Sequence, residues 1–228
     1  MEDQVKEFYG EICFPGLYSI EDLKFYDAEI VNRYLQIYDY VVGGSTCVLD
    51  IGCGSGFITN FLARRHPHVK FYAIDFSTSI RYAKAFAEKN KIDNVVWIEA
   101  DFLTYEFTQD FDCVISNGVI HHIPDYTVAV NKIKKLLLPH GKLAIGLYNK
   151  YGKLAKKIFP VTYVNKTLFL DQERAPFEMS FSNQEVLDLF PEFEVLKIHP
   201  GYKNSKVNLY NLLNFKNGGL TVYVFSSS

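Results

Sequence analysis

Val48-Leu49-Asp50-Ile51-Gly52-Cys53-Gly54-Ser55-Gly56 decides how the rest of the chain is read: an apolar run passes into three alternating glycines and then into a helical pattern. A β-strand ending in glycines two apart marks backbone that takes positive φ and lies close to a ligand, which glycine does at least cost. The helix that follows directs its N-terminal N–H groups and the positive end of its dipole into the same space. Asp50, two residues before Gly52, adds a carboxylate at the strand's C-terminal edge. The stretch reads as the floor of a ligand site.

Working outward, residues 46–150 alternate regularly: strand 46–51, helix 56–65, strand 69–74, helix 77–89, strand 94–98, a short polar stretch, strand 111–116, helix 125–138 and strand 141–147. Strands separated by helical patterns of this length imply right-handed crossovers and a parallel sheet. Ahead of this core, Phe14-Pro15-Gly16-Leu17-Tyr18 is a turn between two helical patterns. Ser19 with Asp22 opens the second, whose Leu23, Ile30, Tyr34, Ile37 and Val41 recur near helical spacing until Gly43-Gly44 stops it. Residues 1–45 are therefore expected to form a helical cap on a domain spanning 46–228. Beyond Asn149 the regularity breaks, and so long an irregular stretch as 149–182 is expected to be a lid or binding insertion. Ser182 caps a short helix at 183–190, strand 193–198 follows, and after a loop around Pro200-Gly201 comes a last strand over 220–225. No convincing crossover helix joins these two strands, so they are expected to pair antiparallel.

The 228 residues, 48% of them apolar, suffice for one α/β domain with an extra cap. With 24 basic and 26 acidic residues and a formal charge of −2, nothing in the totals draws the chain to nucleic acid or to an anionic membrane. No run of 18 apolar residues offers a membrane span, and the acidic Met1-Glu2-Asp3-Gln4 start does not resemble a signal peptide. Cys13, Cys47, Cys53 and Cys113 form no Cys-x-x-Cys pair and read as small buried hydrophobes in a reducing, cytoplasmic compartment.

Four features in order make the chain resemble a class I S-adenosylmethionine-dependent methyltransferase over about residues 40–228. The first is the Asp-x-Gly-x-Gly-x-Gly loop from Asp50 through Gly52, Cys53 and Gly54 to Gly56; a dinucleotide fingerprint would need glycine one place later, where Phe57 stands. The second is Asp75, which ends the apolar run Phe71–Ile74 and is followed by Phe76. A carboxylate at that strand tip can accept hydrogen bonds from both ribose hydroxyls of a nucleoside. Asp75 could instead cap the next helix, a duty that Ser77 could take over and leave Asp75 available. The third is Glu99-Ala100-Asp101-Phe102, where the resemblance implies that Asp101 takes the adenine amino group and Phe102 packs along the adenine face. The fourth is the run from Phe111 to Asp125, whose strand ends at Ser116-Asn117 beside the methionine part of the cofactor, with His121-His122 on a loop over its sulfonium. The implied fold is α/β, a Rossmann-like seven-stranded sheet, mostly parallel with an antiparallel last strand, helices on both faces, an N-terminal helical cap and an insertion after strand 5.

The resemblance implies S-adenosylmethionine as cofactor and methyl transfer by in-line displacement. The absence of a basic excess points to a small-molecule acceptor. A general base is needed only if that acceptor must lose a proton, and His121 and His122 are the candidates, with one of the two expected to face it. Asn117-Gly118-Val119-Ile120 stands where relatives acting on planar nitrogens carry Asn-Pro-Pro-aromatic, which argues against such acceptors. His66, His68, His140 and His199 read as solvated. No metal site is expected: His121, His122 and Asp125 can be written as a cluster, but consecutive histidines rarely ligate one ion. Tyr9, Tyr18, Tyr148 and Tyr151 could frame an acceptor pocket, and Lys153, Lys156 and Lys157 read as a solvated face. Two other readings stay open, a class I nucleoside-binding protein that transfers another group such as aminopropyl, and a non-catalytic binding module on the same fold. The three carboxylates Asp50, Asp75 and Asp101, expected at exposed strand edges, weigh against the second.

Overall fold

The structure, a computed structural model, describes residues 4, 5, 8, 29–152, 154, 175–199 and 220–228. The expected turn at 14–18, the helix start at Ser19 and Asp22, Cys13, Tyr9, Tyr18, the three lysines of 153–157 and the loop at Pro200-Gly201 lie outside the described residues, as does most of 149–182.

The regular alternation of the sequence becomes helix α1 (Glu29–Val42), β1 (Cys47–Ile51), α2 (Phe57–Arg65), β2 (Lys70–Asp75), α3 (Ser79–Lys89), β3 (Val95–Glu99) and β4 (Phe111–Asn117). A 3₁₀ turn over Ile120–His122, α4 (Tyr126–Leu136), β5 (Leu137–Tyr148), α5 (Asn183–Leu189), β6 (Glu194–His199) and β7 (Leu220–Ser226) follow. The seven strands form one sheet in the order β3-β2-β1-β4-β5-β7-β6. β1 pairs parallel with β2 and with β4, while β7 runs antiparallel to both β5 and β6. The fourth helix stops two residues earlier than the sequence pattern suggests, because β5 begins at Leu137.

Strand periodicity divides the core. Val48, Cys113, Ile115 and Ala144 point to one face with Leu35, Tyr38, Val41 and Val42 of α1 and Ile58 and Leu62 of α2. Leu49, Val114, Leu143 and Ile145 point to the other, against Ala129, Val130 and Ile133 of α4 and Val186 of α5. Of the expected recurrence, Ile37 and Val41 are buried, while Leu23 and the side chains of Ile30 and Tyr34 lie outside the described residues; Leu35, Tyr38 and Val42 complete the inward stripe of α1. A leucine-sized side chain buried this way contributes about 1.5–3 kcal/mol. Helix α1 ends at Gly43-Gly44, with Gly44 at φ +85°, and α5 begins with a capping box in which Ser182 and Glu185 satisfy each other's backbone N–H groups. Asp112 accepts from the backbone N–H of Thr46 and Cys47 at 2.7 and 3.1 Å, fixing the start of β1 to that of β4.

Gly56 lies where the start of α2 meets α3 and β3. It sits at φ +75° ahead of α2, and a Cβ there would lie 2.5 Å from Ala83 Cβ and 3.0 Å from the Trp97 ring. Asp50, only 3% exposed, sits under the same helix and accepts a 2.5 Å hydrogen bond from Thr59 Oγ1. Burial pushes its carboxyl up to about 7, against the hydrogen bond from Thr59, and the nearby Asp75 adds to the rise. Asp50 is therefore a buried group and not the exposed-edge carboxylate expected, because α2 closes over the strand end.

Two outcomes are expected. Gly56→Ala lowers stability by about 2–4 kcal/mol, since it combines a strained left-handed backbone with overpacking between α2 and α3, and a denaturant titration measures it. Because Asp50 holds its proton more tightly folded than unfolded, its stabilising contribution is full below about pH 4 and is lost as pH rises through about 7. Thermal midpoints measured from pH 5 to 8 are expected to fall less steeply in Asp50→Asn, which keeps an acceptor for Thr59, than in the wild type.

Candidate active site

β1 and β4 are neighbours in the sheet, and the chain leaves them toward opposite edges. The crevice outside the carboxyl ends of two such strands is where open α/β sheets hold ligands. Ile51 ends β1 and Asn117 ends β4, and a groove opens between the segments that follow them. Gly52 and Gly54 lie at φ +69° and +53°. The N–H groups of Gly52 and Cys53 donate to the Ile74 carbonyl at 2.8 and 3.2 Å, binding the glycine loop to the end of β2. A Cβ on Gly52 would collide with the Val119 side chain, so the loop and the segment after β4 pack as close as backbone allows.

Asp75 stands at the tip of β2. One carboxylate oxygen accepts from Gly54 N–H at 2.7 Å and the other from Ser77 N–H at 2.8 Å. The expected division of labour, with Ser77 capping the helix and Asp75 left out of local bonding, is not what forms. Helix α3 starts at Ser79 behind Thr78 with no side-chain cap, and Asp75 organises both loops. Burial raises its carboxyl pKa, while the hydrogen bonds from Ser77 and Gly54 act in the other direction. A carboxylate oxygen accepts more than one hydrogen bond, so each retains capacity for a ligand hydroxyl.

Beyond β3, Asp101 Oδ1 accepts from Leu103 N–H at 2.9 Å, closing a tight turn. The Lys132 ammonium of α4 braces this turn by donating to the carbonyls of Leu103 and Tyr105 at 3.2 and 2.6 Å, and it lies 5.4 Å from the Phe102 ring. Phe102 is buried and Phe76 is 37% exposed, and both line the groove. So do Asp50, Gly52, Cys53, Gly54, Asp75, Asp101 and Asn117. Gly56 does not; what demands glycine there is helix packing.

At the far end, the 3₁₀ turn holds His121 and His122, both buried. His122 lines the groove, and its Nδ1 lies 2.9 Å from the Phe177 carbonyl, so Nδ1 carries the proton in the neutral ring. His121 faces inward, its ring 4.1 Å from that of Tyr148 and 4.3 Å from that of His122. Its carbonyl accepts from Met179 N–H at 2.9 Å, so residues 177–179 are bound to the turn on both sides. Tyr148 is therefore packed against His121, while Tyr151 is half-buried.

The third ionisable group beside the histidines is Glu178 and not Asp125. Donor atoms of His121, His122 and Glu178 lie within 4.8 Å of one another, the one cluster of metal-binding type among the described residues. Asp125 is exposed, precedes α4 and accepts from Thr127 Oγ1 at 2.7 Å. Two imidazoles and a carboxylate are a set that can move a proton or take a divalent ion. Two other histidines differ from the solvated reading: His66 Nε2 lies 2.8 Å from Asp39, and His199 is half-buried in β6, where desolvation lowers its pKa.

Sequence reasoning missed Val5, Val119 and Glu178. Val5 is buried and lines the groove from a segment whose local pattern carries no ligand signature. Glu178 is more than fifty residues from the histidines, and the Asn149–Phe181 bridge together with the bonds of Phe177 and Met179 to the histidine turn bring it back to them. Val119 had a signal: a β-branched residue one place after Gly118, facing an obligatory glycine.

Comparison with known proteins agrees with this geometry. A mycobacterial protein of Mycobacterium bovis, an uncharacterized methyltransferase, is 39% identical over 103 residues, 45% of this chain and 50% of its own. The chain thus spans about half the length of the curated relatives it matches first. The N-methyltransferase NodS of Bradyrhizobium japonicum in complex with S-adenosyl-L-homocysteine superposes with a TM-score of 0.65 at 15% identity, covering 99% of both chains. The 1,6-didemethyltoxoflavin-N1-methyltransferase of Burkholderia thailandensis, with its substrate and S-adenosylhomocysteine bound, gives a TM-score of 0.66 at 17% identity, covering 100% of this chain and 88% of that one. These likenesses carry the fold. A family model described as a methyltransferase domain matches residues 44–215, well over half of the sequence, and the chain belongs to that family.

Proposed function

We propose that the protein is an S-adenosylmethionine-dependent methyltransferase acting on a small-molecule acceptor. One observation carries the reading: the groove at the β1/β4 switch point gathers Asp75 from the tip of β2, Asp101 from beyond β3 and Asn117 from the end of β4 around two glycines with positive φ, and closes on His122. These residues suit an adenosyl amino acid. Asp75 accepts from the ribose hydroxyls, Asp101 takes the adenine amino group, and Phe76 and Phe102 present rings to the base. Gly52 and Gly54 keep the floor low enough for the methionine portion. When bound, S-adenosylmethionine supplies an electrophilic methyl group.

The remaining work falls to the protein: holding the acceptor in line and keeping water out. His122 stands where the groove meets the irregular segments, with Nδ1–H held by the Phe177 carbonyl and Nε2 able to take a proton from an acceptor. The described parts of the expected cap and of the expected insertion, Val5 and residues 177–179, contribute to this site. A small acceptor is favoured by the even charge balance and by the bound substrate of the 1,6-didemethyltoxoflavin-N1-methyltransferase. Cys53 and Cys113, buried free thiols, suit a reducing cytoplasm. No helix among the described residues is long and apolar enough to cross a membrane.

Calorimetric titration with S-adenosylhomocysteine tests the cofactor. Binding is expected, weakened roughly a hundredfold in Asp75→Ala as two charge-assisted hydrogen bonds are lost. Absence of binding to the wild type would sink the reading. For the acceptor, transfer of an isotopically labelled methyl group to a panel of small acids, phenols and amines is read by mass spectrometry. With an acceptor that must lose a proton, His122→Ala is expected to slow transfer by about 10²–10³ while changing cofactor affinity by less than about threefold. Equal turnover by the variant would remove His122 from proton transfer.

A further inference from the structure

His121 and His122 follow one another in a 3₁₀ turn, a conformation of about three residues per turn that ordinarily sends consecutive side chains apart. Here the two rings converge instead, with centroids 4.3 Å apart, and both are buried. Glu178, half-buried, is brought to them by its neighbours in the chain. The Phe177 carbonyl lies 2.9 Å from His122 Nδ1, and the Met179 N–H donates to the His121 carbonyl at 2.9 Å, so the residues on either side of Glu178 are each bonded to one of the histidines. Donor atoms of His121, His122 and Glu178 lie within 4.8 Å of one another as a result. The Tyr148 ring, 4.1 Å from that of His121, walls the cluster.

We propose that His121, His122 and Glu178 bind one divalent transition ion of the zinc class, at the end of the groove that His122 lines. Two imidazole nitrogens and one carboxylate oxygen are the donor set of three-ligand zinc sites, which keep a further position for water or substrate. Nitrogen donors favour zinc or cobalt over magnesium and calcium, which take oxygen. Ligands each about 2.1 Å from one zinc ion stand roughly 3.4 Å apart in a tetrahedron, so no gap in the cluster has to close by more than about 1.4 Å. A change in one side-chain torsion of Glu178 covers that distance. The surroundings of His122 are those of a ligating histidine: Nδ1–H on a backbone carbonyl orients the ring and places the lone pair on Nε2. That nitrogen accepts the proton in the function proposed above, so ion and proton compete for it. None of the three residues belongs to the set that receives the nucleoside, and ion and cofactor bind separately.

The full chain, stripped with a chelator, is titrated with Zn²⁺ by calorimetry. Binding of one ion per chain is expected, with Mg²⁺ giving no heat, and Co²⁺ in place of zinc is expected to show the visible absorption of a four- or five-coordinate site. His121→Ala and Glu178→Gln are each expected to weaken Zn²⁺ binding by at least the roughly hundredfold that even loss of a ligand's outer partner can cost. The control is His68→Ala: His68 is exposed beside His66, their ring centroids 6.2 Å apart, and the variant is expected to bind zinc as the wild type does. Zinc lost in His68→Ala and kept in Glu178→Gln places the ion on the surface and overturns the site. S-adenosylhomocysteine titrated into the same samples reports the fold and the cofactor site, and Glu178→Gln, which keeps the shape of the side chain, is expected to retain that binding. A wild type that binds S-adenosylhomocysteine and no zinc overturns the metal site alone; one that binds zinc and no S-adenosylhomocysteine overturns the cofactor reading alone.

Discussion

A carboxylate with two short backbone hydrogen bonds governs this site. Asp75 accepts from Gly54 on one oxygen and from Ser77 on the other, and so ties the loop after β1 to the loop after β2. Without the carboxylate, the glycine loop would keep the bonds of Gly52 and Cys53 to Ile74 but lose its tie to the loop after β2. The negative charge is partly buried at a desolvation cost, and the backbone N–H groups offset that cost. A residue whose sequence position suggests ligand recognition is thus also the clasp that shapes the floor on which the ligand would lie.

Other parts of the groove are held from a distance in the same way. Lys132 of α4 braces the turn that carries Asp101 and Phe102, and Phe177 anchors the ring of His122. Asp101, Phe102 and His122 sit in turns beyond strand ends, and these turns are steadied by groups remote in sequence. Such outer contacts decide rotamer and tautomer, which the backbone alone leaves open.

The sheet was legible in the sequence because each of its strands is an apolar run bounded by glycine, proline or polar residues, and helices of regular period separate the first five except at the polar stretch between β3 and β4. The glycine loop and the carboxylates Asp75 and Asp101 were legible because they sit at fixed offsets from strand ends, where local spacing and spatial position coincide. Asp50 shows the limit of that reasoning. Its place in the strand was right, but its burial depends on α2 folding back over it, which spacing does not encode. Glu178 was hidden for a related reason: it lies far along the chain from the histidines it joins. Long-range contacts of this sort leave no periodic trace. Gly56 was legible as a glycine with positive φ, and its actual demand, space for Ala83 and Trp97, came only with the packing of α3.

The position of β7 bears on how the chain reaches this state. Among the described residues, β6 hydrogen-bonds to the sheet only through β7, which is itself inserted between β5 and β6 and is the last of the seven strands to be made. During synthesis, β6 therefore has no partner until residues up to Ser226 have left the ribosome, and Tyr223 and Phe225 of β7 are missing from the core until then. Sheet closure waits on contacts of long sequence separation, which form slowly and leave β5 with an open edge in the interval. The nascent domain is thus most exposed to aggregation just before its final strand arrives.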